Sequence, residues 1–377
     1  MSVSAINWSI PPVSPLPSSG RAITLLYKIR TNMNYNRRHF LSTAALMLSA
    51  TDLAMSMPAA AAASVGKTND KNMNRSLGPI KQINAGVLNI GYAEAGPSAG
   101  PAVILLHGWP YDINSFTDVA PMLASAGYRV IIPYLRGYGT TRFLSADTLR
   151  NGQPSALGED TIHLMDALKI DKAILAGFDW GARTANVVAA LWPERVRAMV
   201  SVSGYLIGSR DAAKAPLPPS AELQWWYQFY FSTDRGKAGY EKYRNDFNKL
   251  IWQLASPQWK FDDATFARSA ASFENPDHVD IVIHNYRWRL GLVEGESKYD
   301  ALEQKLGQLP MITVPTITME GDANGAPHPP ENSYAKFFSG KYVHKTITGG
   351  IGHNLPQEAP KAFADAVIEV AGYAKQA

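Results

Sequence analysis

The 377-residue chain contains no cysteine. That absence excludes disulfides, thiolate metal sites and a cysteine nucleophile. The body of the chain also lacks a charge excess. The formal charge of +4 belongs to residues 1–63, where Arg21, Lys28, Arg30, Arg37 and Arg38 face only Asp52. The remainder balances, with 31 basic and 31 acidic residues. Nothing in this distribution argues for a nucleic-acid partner. Internal repeats are absent. The weakly apolar stretch at Leu41–Ala54 is too short to span a bilayer, so no stable membrane insertion of the mature chain is expected. What is present, 46% hydrophobic residues over this length, suffices for one large α/β domain with an insertion.

Residues 1–63 read as an N-terminal extension and export signal. Asn36-Arg37-Arg38-His39-Phe40-Leu41 resembles a twin-arginine signal, a basic pair before an aromatic–Leu step. Met55-Ser56-Met57-Pro58 and the alanines after it offer small-residue cleavage sites. Met1 and Met33 are both candidate starts. Periplasmic or secreted localisation is the expectation.

The chemistry centres on Gly177-Phe178-Asp179-Trp180-Gly181. Before it, Lys172-Ala173-Ile174-Leu175-Ala176 reads as a buried parallel strand. After it, Ala182–Trp192 has helical spacing and stops at Pro193. A strand therefore enters a helix through a tight corner whose central residue is exposed and strained, the geometry of a nucleophile elbow. The usual occupant is Ser, and here it is Asp179. A carboxylate is already ionised near neutral pH, its ordinary pKa being about 3.9. Its attack on acyl carbon is unproductive, but attack on an sp3 carbon bearing a leaving group gives an alkyl ester. Water must then cleave that ester, which needs a base and an oxyanion site.

The rest of the core follows an alternating pattern. An opening hairpin is expected over Ile80–Gly96, strands at Ala102–Leu106, Tyr128–Pro133 and Val196–Ser203, and helices at Phe116–Ala126 and Asp160–Ile170. That alternation argues for a mostly parallel sheet covered by helices on both faces. The strand at Ala102–Leu106 ends in His107-Gly108-Trp109-Pro110, where ligands of open α/β sheets bind. The Trp109 and Trp180 N–H groups are the expected oxyanion donors, with His107 in the same turn.

An H-G-x-P turn followed some 70 residues later by G-x-D-x-G resembles the α/β-hydrolase superfamily, and within it the epoxide hydrolases. The resemblance covers roughly residues 80–377. Haloalkane dehalogenases are similar at the elbow but often carry Asn in the turn. Tyr134 stands where related enzymes usually have Asp before the R-G-x-G turn. The resemblance implies an α/β-hydrolase core at 64–204 and 306–377 and a helical cap at 205–305.

Two cap stretches carry the resemblance further. Trp225-Trp226-Tyr227-Gln228 and His284-Asn285-Tyr286-Arg287 resemble the two cap segments from which epoxide hydrolases point a tyrosine at the epoxide oxygen. That implies Tyr227 and Tyr286 as acids. An alkoxide is a poor leaving group, and a phenol of ordinary pKa near 10 can donate as charge develops. Trp226, with Trp225 and Trp288, is expected to shape an apolar pocket. Tyr230, Tyr240 and Tyr243 are assigned to packing.

A final strand at Tyr342–Thr348 leads to Gly349-Gly350-Ile351-Gly352-His353, where this superfamily places its base. A closing helix is expected at 359–375. The expected orienting residue is Asp322, the nearest carboxylate after the strand at 313–319, because catalysis gains from charge; the alternative is the position three residues after Gly321, which is Asn324. A carboxylate holds the imidazole tautomer and stabilises imidazolium, whereas an amide only orients. The expectation is a cofactor-independent, metal-free epoxide hydrolase acting on a small apolar or aryl epoxide and water. The alternatives are a dehalogenase using the same Asp and His, and a catalytically weak ligand-binding protein. Arg183 matches a position that is Arg in fluoroacetate dehalogenases, but Trp180 replaces their Arg after the nucleophile.

Overall fold

The computed structural model describes residues 76–374. The expected export signal and most of the linker at 64–79 lie outside the described residues. The hairpin opens the fold as β1 (Lys81–Ala85) and β2 (Leu88–Ala95), turned at Gly86 with φ of 55°. β3 (Ala102–Leu106) is buried at every position. α1 (Val119–Ser125), β4 (Arg129–Pro133) and the short β5 (Arg142–Phe143) follow. α2 (Pro154–Ala167) starts six residues before the expected Asp160. Pro154 supplies the preset φ of a first helical turn, and Leu157 extends the buried face that Leu164 continues. The helix ends before Lys169, which has a φ of 56°.

The strand and helix around Asp179 are β6 (Ala173–Gly177), buried throughout, and α3 (Trp180–Leu191). β7 (Val196–Val202) ends the first half of the core. The chain then leaves the sheet for α4 (Pro219–Gln224), α5 (Trp226–Ser232), α6 (Asp234–Ala255), α7 (Asp263–Ala270), α8 (His278–Arg289) and α9 (Asp300–Gly307). α9 packs against α2 and α3, so this inserted helix belongs with the core. The chain returns as β8 (Thr316–Gly321), α10 (Glu331–Tyr334), β9 (Tyr342–Ile347), α11 (Leu355–Glu358) and α12 (Pro360–Tyr373).

Among the described residues the sheet runs β1-β2-β4-β3-β6-β7-β8-β9, with β5 on β2. The β1–β2 and β2–β4 pairs are antiparallel, and every pair from β4 to β9 is parallel. β3 and β6 are neighbours, which brings the turn after β3 beside the elbow after β6. This α/β-hydrolase architecture leaves the carboxyl ends of β3, β6 and β8 under the inserted helices. No described helix is long and apolar enough to cross a membrane.

Candidate active site

The elbow is tight because its glycines leave no room for side chains. A Cβ at Gly181 would lie 1.9 Å from Leu106 O, and one at Gly108 would lie 2.4 Å from Asp179 Cβ. Asp179 itself holds φ 52° and ψ −122°, a region that L-residues seldom occupy. The strain lifts its carboxylate off the sheet end. Oδ1 accepts the Trp109 N–H at 2.8 Å, and Oδ2 lies 3.3 Å from His353 Nε2. Burial alone would raise the Asp179 pKa. The His353 hydrogen bond and charge, the Arg183 cation and the Trp109 N–H outweigh it and hold the carboxyl below its ordinary value. The Trp180 amide opens α3 immediately after Asp179.

Tyr227 on α5 and Tyr286 on α8 meet edge to face, their ring centroids 5.4 Å apart. Both lie over Trp109, at 5.3 Å and 5.2 Å. Burial pushes both phenols up in pKa, for Tyr286 with the neighbouring Tyr227 and Asp179 adding, for Tyr227 with Asp179 adding. Each therefore stays protonated and able to donate. A pocket stands above Asp179 and His353, walled by Trp109, Trp226, Tyr227, Ile251, Leu254 and Pro327. Its walls are mostly apolar and come from both the sheet ends and the inserted helices. Tyr240 lies outside it, buried and bonded to Trp109 Nε1, Asn248 and His278. Tyr230 stacks on Phe247, and Tyr243 is exposed.

Three expectations from the sequence need correction. Asp322 does not hydrogen-bond His353. Both its oxygens are taken by the amides of Gly349, Gly350 and Ile351, at 3.0, 2.9 and 3.0 Å. One residue past the strand end, its side chain turns to solvent and braces the glycine loop. These amides, Gly349 first, hold its pKa below the usual carboxylate range. Asn324 does not orient the base either. Its Nδ2 donates to Glu320 Oε1 and Ser203 Oγ, and its Oδ1 accepts the Ala326 N–H. His107 is a buried scaffold residue: Nε2 accepts the Leu135 N–H at 3.1 Å, and burial lowers its pKa to about 4. It keeps the ring neutral and joins two loops.

His353 is buried, and its Nδ1 makes no hydrogen bond among the described residues. His353 is instead held through its backbone. Its N–H donates to Ser256 Oγ at 2.9 Å, and Ser256 in turn donates to Glu358 Oε1 at 2.7 Å. Sequence reasoning missed both residues. Glu358 had a signal, being the only carboxylate between His353 and Asp365. Ser256 had none, because only the tertiary fold brings the end of α6 to this loop. Among the described residues no cluster of His, Asp or Glu could hold a metal ion.

Known proteins resemble this chain in sequence and fold. A family model described as the alpha/beta hydrolase fold matches residues 101–242. An epoxide hydrolase of Caballeronia sordidicola is 36% identical over 126 residues, 33% of this chain and 38% of that one. Epoxide hydrolase A of Mycobacterium tuberculosis is 25% identical over 304 residues, covering 73% of this chain and 92% of its own. A solved structure from Klebsiella pneumoniae, described as a candidate epoxide hydrolase, is 64% identical with a TM-score of 0.77, covering 78% of this chain and 97% of that one. Against the first curated relatives the chain spans about two fifths of their length.

Proposed function

The chain belongs to the epoxide-hydrolase-like branch of the α/β-hydrolase family, and from that premise we propose that it opens an epoxide to a vicinal diol through an ester on Asp179. The observation that carries this reading is the pair of protonated tyrosines packed over Trp109, whose N–H holds the Asp179 carboxylate. A halide needs no proton to leave, and an epoxide oxygen does.

With Oδ1 held by Trp109, Oδ2 attacks an epoxide carbon. The C–O bond breaks as Oδ2–C forms, and Tyr227 and Tyr286 deliver a proton to the departing oxygen. His353 then takes a proton from water, and the hydroxide attacks Cγ of Asp179. Charge collects on Oδ1, where the Trp109 and Trp180 N–H groups stabilise it. Collapse breaks the Cγ–O bond, the imidazolium protonates the departing diol oxygen, the new Asp179 carboxylic acid gives up its proton to restore the phenol that served as acid, and the diol leaves. One oxygen of Asp179 then comes from water. The aromatic walls favour an apolar or aryl epoxide.

A His353→Gln variant tests this. Incubated with aryl epoxides and haloalkanes, it is expected to accumulate an adduct on Asp179 equal in mass to the whole epoxide. An adduct equal to the substrate minus HX, formed only with halides, would convert the reading to a dehalogenase. No adduct with either panel would favour the ligand-binding alternative. Export through residues 1–63 belongs to the same proposal. Replacing Arg37 and Arg38 together by Lys is expected to retain the protein in the cytoplasm of an expressing bacterium, measured by fractionation.

A further inference from the structure

We infer that Glu358 is the positioning carboxylate of His353, supplying the negative charge that no residue of the loop after β8 offers it. The inference rests on the reading of His353 as the base. Three consecutive amides of the base loop end on one pair of side chains. The Gly352 N–H donates to Glu358 Oε2 at 2.7 Å, and the Asn354 N–H donates to Oε1 at 3.1 Å. Between them, the His353 N–H reaches Ser256 Oγ, itself bonded to Oε1. The carboxylate thus grips the residues on both sides of the base. The fit is close: a Cβ at Gly352 would lie 2.5 Å from Ser256 Oγ.

The other carboxylates near the loop are engaged elsewhere. Asp322 serves the amides of residues 349–351, and Glu320 accepts from Asn324 and lies 3.8 Å from His328 Nε2. Titratable groups near His353 among the described residues are few. Asp179 lies at Nε2, the Tyr111 ring is 6.0 Å away, and Glu358 interacts with its charge. Burial raises the Glu358 pKa, while Ser256, the two amides and the His353 charge oppose that rise. Asp179 loses its charge when it becomes an ester. Imidazolium forms at that stage, so the remaining carboxylate has its largest effect on ester hydrolysis and little on ring opening.

The test is single-turnover kinetics with styrene oxide across pH, following the Asp179 ester by quenched-flow mass spectrometry. Glu358→Gln removes the charge. Ser256→Ala loosens the same loop and keeps the charge. The expected result for Glu358→Gln is ester hydrolysis slowed about tenfold, its acid limb moved to lower pH by about one unit, and ester formation within about twofold of wild type. In steady state kcat and KM fall together and kcat/KM holds. Ser256→Ala is expected to slow hydrolysis without moving the acid limb. Equal profiles for the two variants would overturn the inference and leave Glu358 as a loop brace. If the wild-type protein forms no ester at all, the hydrolase reading fails and the inference fails with it.

Discussion

At Asp179, opposing forces decide the working pH. Burial disfavours its charge, and His353, Arg183 and the Trp109 N–H favour it more. The net depression keeps the carboxylate ionised above its folded pKa, and nucleophilicity is lost as pH falls through that value. Arg183 sits one helical turn on, its N–H bonded to the Asp179 carbonyl. Arg183→Gln removes a cation that lowers the Asp179 pKa, so the acid limb of kcat/KM should move to higher pH, by up to about one unit. A pH–rate profile with an aryl epoxide checks both direction and size. The tyrosines make a separate prediction. Tyr227→Phe and Tyr286→Phe should each slow ester formation about 10- to 100-fold, and the double variant by 10²–10⁴-fold. The same variants should trap ester no more slowly from a substrate with a halide leaving group.

The residues around these two steps differ in how far the sequence foretells them. Asp179, Trp109 and His353 sit on turns whose glycines, prolines and flanking strands are written locally, and the structure brings them within hydrogen-bond reach. The third partner is not local. Its placement depends on which way a side chain turns after β8, and there Asp322 is drawn outward by three free amides. The clamp on His353 is less legible still, because Ser256 lies 97 residues away in sequence.

Among the secondary elements, the corner from β6 to α3 is the least tolerant of change. Gly181 packs its Cα against the end of β3, where an added methyl would meet Leu106 O at 1.9 Å and Leu106 C at 2.3 Å. Both are backbone atoms and cannot turn aside. Gly181→Ala should therefore cost more than about 3 kcal/mol in chemical denaturation, a value in the tail for single substitutions. The elements themselves are readable because strand and helix alternate with clear periodicity, and their ends shift by a few residues where a local residue presets the backbone. The start of α2 moved for that reason, to Pro154. The two-residue β5 left no periodic trace, being too short to show one.

The whole molecule turns on how firmly the inserted helices are fixed. They are tied to the core by buried bonds: Trp252 Nε1 donates to Pro110 O at 2.7 Å, and Asn275 Nδ2 donates to Thr141 O at 2.7 Å. Arg150 pairs with Asp277, and Trp252 stacks on Tyr111 at 4.8 Å. The described residues, 76–374, form one compact unit with no boundary between cap and core. Heating should thus melt both together, with tryptophan fluorescence and far-ultraviolet circular dichroism giving one coincident transition. Trp252→Phe keeps most of the ring packing and removes the bond to Pro110, leaving a buried carbonyl short of a donor. It should lower that single midpoint by about 2–4 °C without splitting it. Two transitions in the variant would mean that the cap is an independently stable lid hinged on the core. The pocket would then open by lid motion, and product release rather than ester hydrolysis would become the step to measure.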